Sequence, residues 1–183
     1  MHIQTQPARL RRVAGAAALC LAGLALAAGA VHAESVKSRD KSFLVNAAEA
    51  GNAEVAASKI AIEKTQNPDV KKFAQKMIDE HTKVGADLKQ LASSKDVSVP
   101  GEPSVAQRAK IAILDKLTGT TFDKRYASMI GVTAHKDAVK LFQKASTSAQ
   151  DPEVREFAVK TLPDLQEHLQ MGNDLKARVD AVK

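Results

Sequence analysis

Asn67-Pro68-Asp69-Val70-Lys71-Lys72-Phe73-Ala74 returns 84 residues later as Asp151-Pro152-Glu153-Val154-Arg155-Glu156-Phe157-Ala158. Each copy is a helix start. An Asn or Asp caps it, proline takes the first helical position where no backbone donor is needed, and an acid faces the positive helix end. The likeness continues as Glu80-His81 with Glu167-His168 and as Asp87-Leu88-Lys89 with Asp174-Leu175-Lys176, now 87 residues apart. The added residues fall beside Pro163. That proline removes a donor and crowds the preceding turn, which predicts a kink or restart there, with Thr161-Leu162-Pro163-Asp164 as a new capping box. A helical stretch precedes each copy, so the chain reads as two helical hairpins with tight turns.

From Lys41 onward Ala, Lys, Glu and Leu dominate and the alternation of β-strands is missing. The pattern predicts an all-α, ferritin-like four-helix bundle over 34–183. Helix A spans about 42–66, B 68–93, C 120–148 and D 152–180. Helix A carries Leu44, Ala48, Gly51, Val55 and Ile62 on one line. Helix B has a heptad-like seam of Val70, Ala74, Met77, His81, Val84, Leu88 and Leu91. The stripe of helix C, Phe122, Tyr126, Met129, Val132, His135, Val139 and Phe142, drifts where three steps of three follow one another. Between B and C lies a long crossover, extended near Val97–Pro103 and then a short amphipathic helix over 104–117. Short, long and short connections fit two hairpins joined by a crossover better than a simple up-down-up-down chain.

The chain has 183 residues, 27 Lys+Arg against 21 Asp+Glu, one Cys and one Tyr. Residues 1–33 contain Arg9, Arg11 and Arg12, no acid, the lone Cys20 and an apolar stretch Val13–Val31, ending in Val31-His32-Ala33. A basic start, an apolar run and small residues at the cleavage positions make a signal peptide, and the protein is expected in the periplasm or secreted. Cleavage leaves no membrane-spanning segment. It also leaves no thiol, which excludes disulfides, Cys-based zinc sites, iron–sulfur clusters and Cys nucleophiles. The remaining chain has a net charge of only +3, with acids and bases interspersed and lysines such as Lys71, Lys72, Lys136 and Lys140 on solvated faces. That argues against nucleic-acid binding. A homo-oligomer is compatible with the pattern.

Three histidines follow Ala33, each on or beside the apolar stripe of a different helix: His81 on B, His135 on C and His168 on D. Helix A offers Glu54, flanked at helical spacing by Phe43, Ala47, Ala50, Ala57 and Ala61, while Glu49 points nearly opposite. Depth along the rods matches as well. Glu54 precedes Asn67 by 13 positions and His81 follows it by 14; His135 precedes Asp151 by 16 and His168 follows it by 17. With the two turns at opposite ends of a bundle about 43 Å tall, at about 1.5 Å per residue, all four groups meet near mid-height. An unpaired buried carboxylate is costly and imidazole needs partners for both nitrogens. Glu54, His81, His135 and His168 therefore form a candidate site for a divalent transition metal (Zn, Fe, Cu or Ni), with Glu80 and Asp164 as supporting acceptors or further ligands. The positions three before His81 and His168 are Ile78 and Leu165, so the Glu-x-x-His pairs of carboxylate-bridged di-iron bundles are missing. There is no Gly-rich phosphate loop, nucleophile elbow or His-Glu-x-x-His, and no catalytic residue is assigned.

The chain resembles a bacterial family of exported proteins, domain-of-unknown-function family 4142. The resemblance rests on Ala47-Ala48-Glu49-Ala50-Gly51-Asn52-Ala53-Glu54-Val55, Phe73-Ala74-Gln75-Lys76-Met77 with Asp79-Glu80-His81, Phe122-Asp123 with Tyr126 and His135, and Leu162-Pro163 with Glu167-His168-Leu169. It implies a ferritin-like fold and export, and no established activity. The outer-membrane label often given to such proteins fits poorly with a chain that lacks the alternating ten-residue strands of a membrane barrel. Two functions stay open on the sequence: a metal-binding bundle for metal handling or redox protection, and a non-catalytic structural or interaction module of the envelope, linked to stress tolerance, whose histidines form a polar core layer.

Overall fold

The side chains of Asn67 and Asp151 cap their helices in the same way. Asn67 Oδ1 accepts from the backbone of Asp69 and Val70 at 2.9 and 3.4 Å, and Asp151 Oδ1 from Glu153 and Val154 at 2.9 and 3.1 Å. The computed structural model describes residues 37–182, together with His2, so the expected leader lies outside the described residues apart from that one position. Its elements are α1 (Ser38–Lys64), α2 (Pro68–Ser94), α3 (Val105–Asp115), α4 (Gly119–Tyr126), a π-helical segment (Ala127–Ala134), α5 (His135–Ser148) and α6 (Pro152–Ala181). The rod from α4 through α5 is continuous. Four long rods and one short helix result, with no strand among the described residues.

α1 packs on α2 and α5 packs on α6; contacts of α2 with α6 and of α1 with α5 close the ring. Two buried ties set the direction of each rod. Thr65 Oγ1 donates to Asp123 Oδ1 at 2.6 Å, which fixes the start of α4 beside the α1–α2 turn. Asp40 Oδ2 accepts from the backbone of Gln150 and Asp151 at 2.9 and 2.8 Å, which fixes the start of α1 beside the α5–α6 turn. The turns therefore lie at opposite ends, and the crossover must travel the bundle's full height. It does so through a coil and α3, whose Leu114 is fully buried and whose N-terminus carries a Ser104/Gln107 capping box. Gly119 enters α4 at φ +56°, where a side chain would be strained.

Three local expectations need correction. Helix C is not α-helical throughout. Its buried positions include Phe122, Tyr126, Ala127, Ile130, Gly131, Val132, His135, Ala138 and Phe142, so the buried face widens at the π segment, while Met129 and Val139 are only half-buried. Helix A buries the face centred on Glu54, including Phe43, Leu44, Ala47, Ala57 and Ala61, and leaves Gly51, Val55 and Ile62 half-buried. So many alanines surround the rod that polarity alone does not choose its face. Helix D does not restart at Pro163; Pro152–Ala181 is a single helix with the proline inside it. Proline leaves the Val159 carbonyl without its helical donor, but Val159 is 51% exposed, so solvent can reach that turn. Thr161 does not cap a new helix; its hydroxyl donates back to the Phe157 carbonyl at 2.8 Å.

The interior divides into two apolar clusters. One, toward the α5–α6 turn, contains Phe43, Leu44, Leu88, Ala138, Phe142 and Leu165; the other, toward the α1–α2 turn, contains Ala57, Phe73, Met77, Tyr126, Ile130 and Leu175. Glu54, His81, His135 and His168 belong to neither. They form a polar layer between the two.

Candidate metal centre

α1 supplies Glu54, α2 His81, the first residue of α5 His135 and α6 His168, all at least 95% buried. The three imidazole centroids form a nearly equilateral triangle with sides of 5.4, 5.3 and 5.4 Å. Each histidine brings one ring nitrogen to within 4.8 Å of the other two.

The outer nitrogen of each ring faces an acceptor. His81 Nδ1 lies 2.9 Å from Glu54 Oε2. His135 Nδ1 lies 2.8 Å from the Ile130 carbonyl five residues back, and 3.8 Å from Glu54 Oε1. His168 Nε2 donates to Glu80 Oε2. A carbonyl or carboxylate oxygen can only accept, so these partners assign the protons to Nδ1 of His81, Nδ1 of His135 and Nε2 of His168. The lone pairs then sit on His81 Nε2, His135 Nε2 and His168 Nδ1. Those three atoms are buried without any partner, and so is Glu54 Oε1.

All four unpartnered atoms are acceptors. Leaving each unsatisfied costs about 1–3 kcal/mol, a large share of the about 5–15 kcal/mol that holds a domain folded. One water offers two hydrogens, too few for four acceptors. A cation satisfies the imidazole lone pairs together. A metal with bonds of about 2.0–2.1 Å needs its three nitrogens roughly 3.4 Å apart, so the rings must close by up to about 1.4 Å, each pivoting on its outer hydrogen bond.

Charge around the layer follows the same geometry. Burial pushes the Glu54 carboxyl up, but the three histidines and the His81 hydrogen bond outweigh it and hold the group at about 2. Burial lowers His81, yet the charge and hydrogen bond of Glu54, with the charge of Glu80, raise it above the ordinary imidazole value. His168 moves the other way: burial and repulsion from His81 and His135 prevail over Glu80 and keep it neutral to lower pH. Glu80 is half-exposed and held ionised, despite some burial, by Lys76 and His168, with Lys76 Nζ also 3.5 Å from Glu167.

The structure gathers Glu54, His81, His135 and His168, the four side chains expected to meet, but gives Glu54 and Asp164 other positions than the sequence suggested. Glu54 stands behind the rings of His81 and His135, on the Nδ1 side, as an acceptor. Asp164 is exposed and stays outside the cluster. Glu80 is the acceptor that the sequence allowed for. Two features escaped the sequence reading. Across the π segment the Ile130 carbonyl lies against His135 Nδ1, five residues on, while the His135 backbone N–H goes to the Val132 carbonyl. Gly131 and Gly172 touch backbone to backbone, so that a Cβ on Gly172 would fall 1.9 Å from the Gly131 carbonyl oxygen. A glycine on each of two facing apolar stripes, one turn from a histidine, was the available signal.

The family model described as a domain of unknown function, DUF4142, matches residues 25–175. The chain belongs to the DUF4142 family. A crystal structure of a DUF305 fragment from Deinococcus radiodurans is similar in fold, with a TM-score of 0.69 at 14% identity, covering 79% of this chain and 99% of that one. No curated protein matches the chain. At that identity the likeness to the DUF305 fragment extends to the helical bundle alone. Among the described residues no helix is long and apolar enough to cross a membrane.

Proposed function

We propose that this DUF4142 protein is an exported bundle that binds one divalent transition metal through His81 Nε2, His135 Nε2 and His168 Nδ1, for metal handling or redox protection in the cell envelope. The observation that carries the reading is the cluster of three buried, unpartnered imidazole nitrogens while every outer nitrogen is already committed to an acceptor. Three neutral imidazoles suit Zn, Cu, Fe or Ni and do not suit Ca or Mg, which prefer oxygen. Glu54, Glu80 and the Ile130 carbonyl fix the tautomers and aim the rings. Export is supported by Arg9, Arg11 and Arg12 ahead of the apolar run Val13–Val31.

Elemental analysis of untagged protein, beside a His81→Ala/His168→Ala double variant, tests this. One equivalent of metal in the wild type and none in the folded double variant is the expected result. A metal-free wild type that neither takes up added Zn or Fe nor gains thermal stability from them would leave the histidines as a polar core layer in a structural module.

A further inference from the structure

A cleft of about 560 Å3 enters the bundle between α1 and α2 under the coil Val99–Pro103. The Asn52 side-chain amide donates to the Pro100 carbonyl at 3.0 Å and ties that coil down as a roof. The floor is formed by Glu54 and His81, and the inner end by Ala138, Phe142 and Leu165. Ala138 lies one turn beyond His135 and Leu165 one turn before His168, on rods that run in opposite directions. Both residues therefore cover the same side of the histidine layer, the side toward the α5–α6 turn. On the other side Phe73, Met77, Tyr126 and Ile130 are tightly buried.

Three histidines leave a metal with at least one open coordination position. The cleft's inner end lies beside the histidine layer, on the side toward the α5–α6 turn. Lys59 and Lys89 balance Glu54 and Glu102 around it, and the rest of the lining is mostly uncharged, which suits a neutral ligand. We propose, resting on the metal reading above, that this cleft is a second binding site. It admits a small neutral molecule whose nitrogen or oxygen lone pair fills the open metal position. Gly51 and Gly85 line the cleft, and a Cβ on either would meet nothing within 4 Å, so a side chain can start there without a backbone clash.

The test uses untagged full-length protein as exported by the cell, loaded with Co(II), whose visible bands report coordination. Imidazole, in its neutral form at pH 8, is the probe, compared among wild type, Gly85→Phe and Gly51→Leu. In wild type a saturable change in the cobalt bands is expected with the metal retained. In both variants cobalt loading should stay at one equivalent, with probe binding weakened tenfold or more. A loaded wild type whose spectrum ignores the probe overturns the cleft proposal and leaves the metal reading standing. Equal binding by all three proteins, or release of cobalt to the filtrate, overturns it in the same way. Failure to load cobalt, zinc or iron removes the metal reading and the cleft proposal with it.

Discussion

Gly172→Ala is the most informative single-atom change in the bundle. The new methyl would lie 1.9 Å from the Gly131 carbonyl oxygen, 2.4 Å from its carbon and 2.8 Å from its Cα, all backbone atoms that cannot rotate away. Ordinary contact needs roughly 3.3 Å or more, so α6 and the π segment must separate locally by about 1.4 Å. Overpacking of this kind costs about 1–3 kcal/mol, against about 1 kcal/mol gained when a helix loses a glycine. The net expectation is a loss of up to about 2 kcal/mol. Gly85→Ala isolates the propensity gain, because its Cβ meets nothing within 4 Å, and should stabilise by about 0.5–1 kcal/mol. Gly131→Ala stands between them, with its Cβ 3.1 Å from the Gly172 Cα. At about 2–4 °C per kcal/mol for a chain of this size, the two outer variants should differ in Tm by several degrees, on chelator-treated protein. Urea unfolding followed by circular dichroism gives the same order if the reasoning holds. A Gly172→Ala protein as stable as Gly85→Ala would show that the close approach exerts no strain and refute it.

Metal-free protein should show a dome of stability against pH with its top near 6.5. His168 is lowered when folded, so as pH falls below 6.5 the unfolded chain takes up that proton first and stability drops; Glu54, depressed from 4.5 to about 2, removes a further share of order 3 kcal/mol as pH falls through that range. His81 is raised, so its contribution is complete below 6.5 and is lost as pH climbs through its folded value. Chemical denaturation across pH 2–9 checks this, and a profile flat down to pH 4 would show that the layer is solvated. Thr65→Val keeps the shape but strips the Asp123 carboxylate of its 2.6 Å donor, and should cost about 1.5–3 kcal/mol in urea unfolding, whereas Thr65→Ser should recover most of it. The capping pair makes a symmetric test: Asn67→Ala and Asp151→Ala should each cost about 1 kcal/mol, with the double variant additive within about 0.5 kcal/mol. Asp151 also lies 2.9 Å from Lys95, so a larger loss there would measure that tie.

The parts of this bundle that were legible in the sequence are those set by local chemistry and by counting. Asn67-Pro68 and Asp151-Pro152 mark two helix starts because a cap and an N1 proline serve the same orphan donors wherever they occur. Depth matching worked because rise per residue is nearly constant, so equal distances from a turn become equal heights. The parts that were not legible depend on a neighbour. No property of Ala127–Ala134 by itself calls for a π turn. It arises where Gly131 meets Gly172, a contact between residues far apart in the chain. Glu54 was recognisable as buried, but which side of the imidazoles it occupies depends on the rotation of α1, and an alanine-rich rod does not declare its rotation.

The π segment also explains why the histidine layer is held ready rather than merely collected. In an uninterrupted α-helix the carbonyl before His135 would be committed to the ladder, and the imidazole would need a side-chain acceptor on another rod. Here the Ile130 carbonyl accepts from His135 Nδ1 while the His135 N–H goes to Val132, so the ring is oriented by its own helix. The buried face widens across Ile130, Gly131 and Val132 just before His135. The Gly131–Gly172 contact draws α6 close at that level and sets His168 opposite. The irregular turn thus lies where the His135 acceptor and the close approach of the neighbouring rod meet. Irregular helix of this kind is costly in an otherwise regular bundle, and its position beside the buried histidine layer is what the proposed site would use to aim His135.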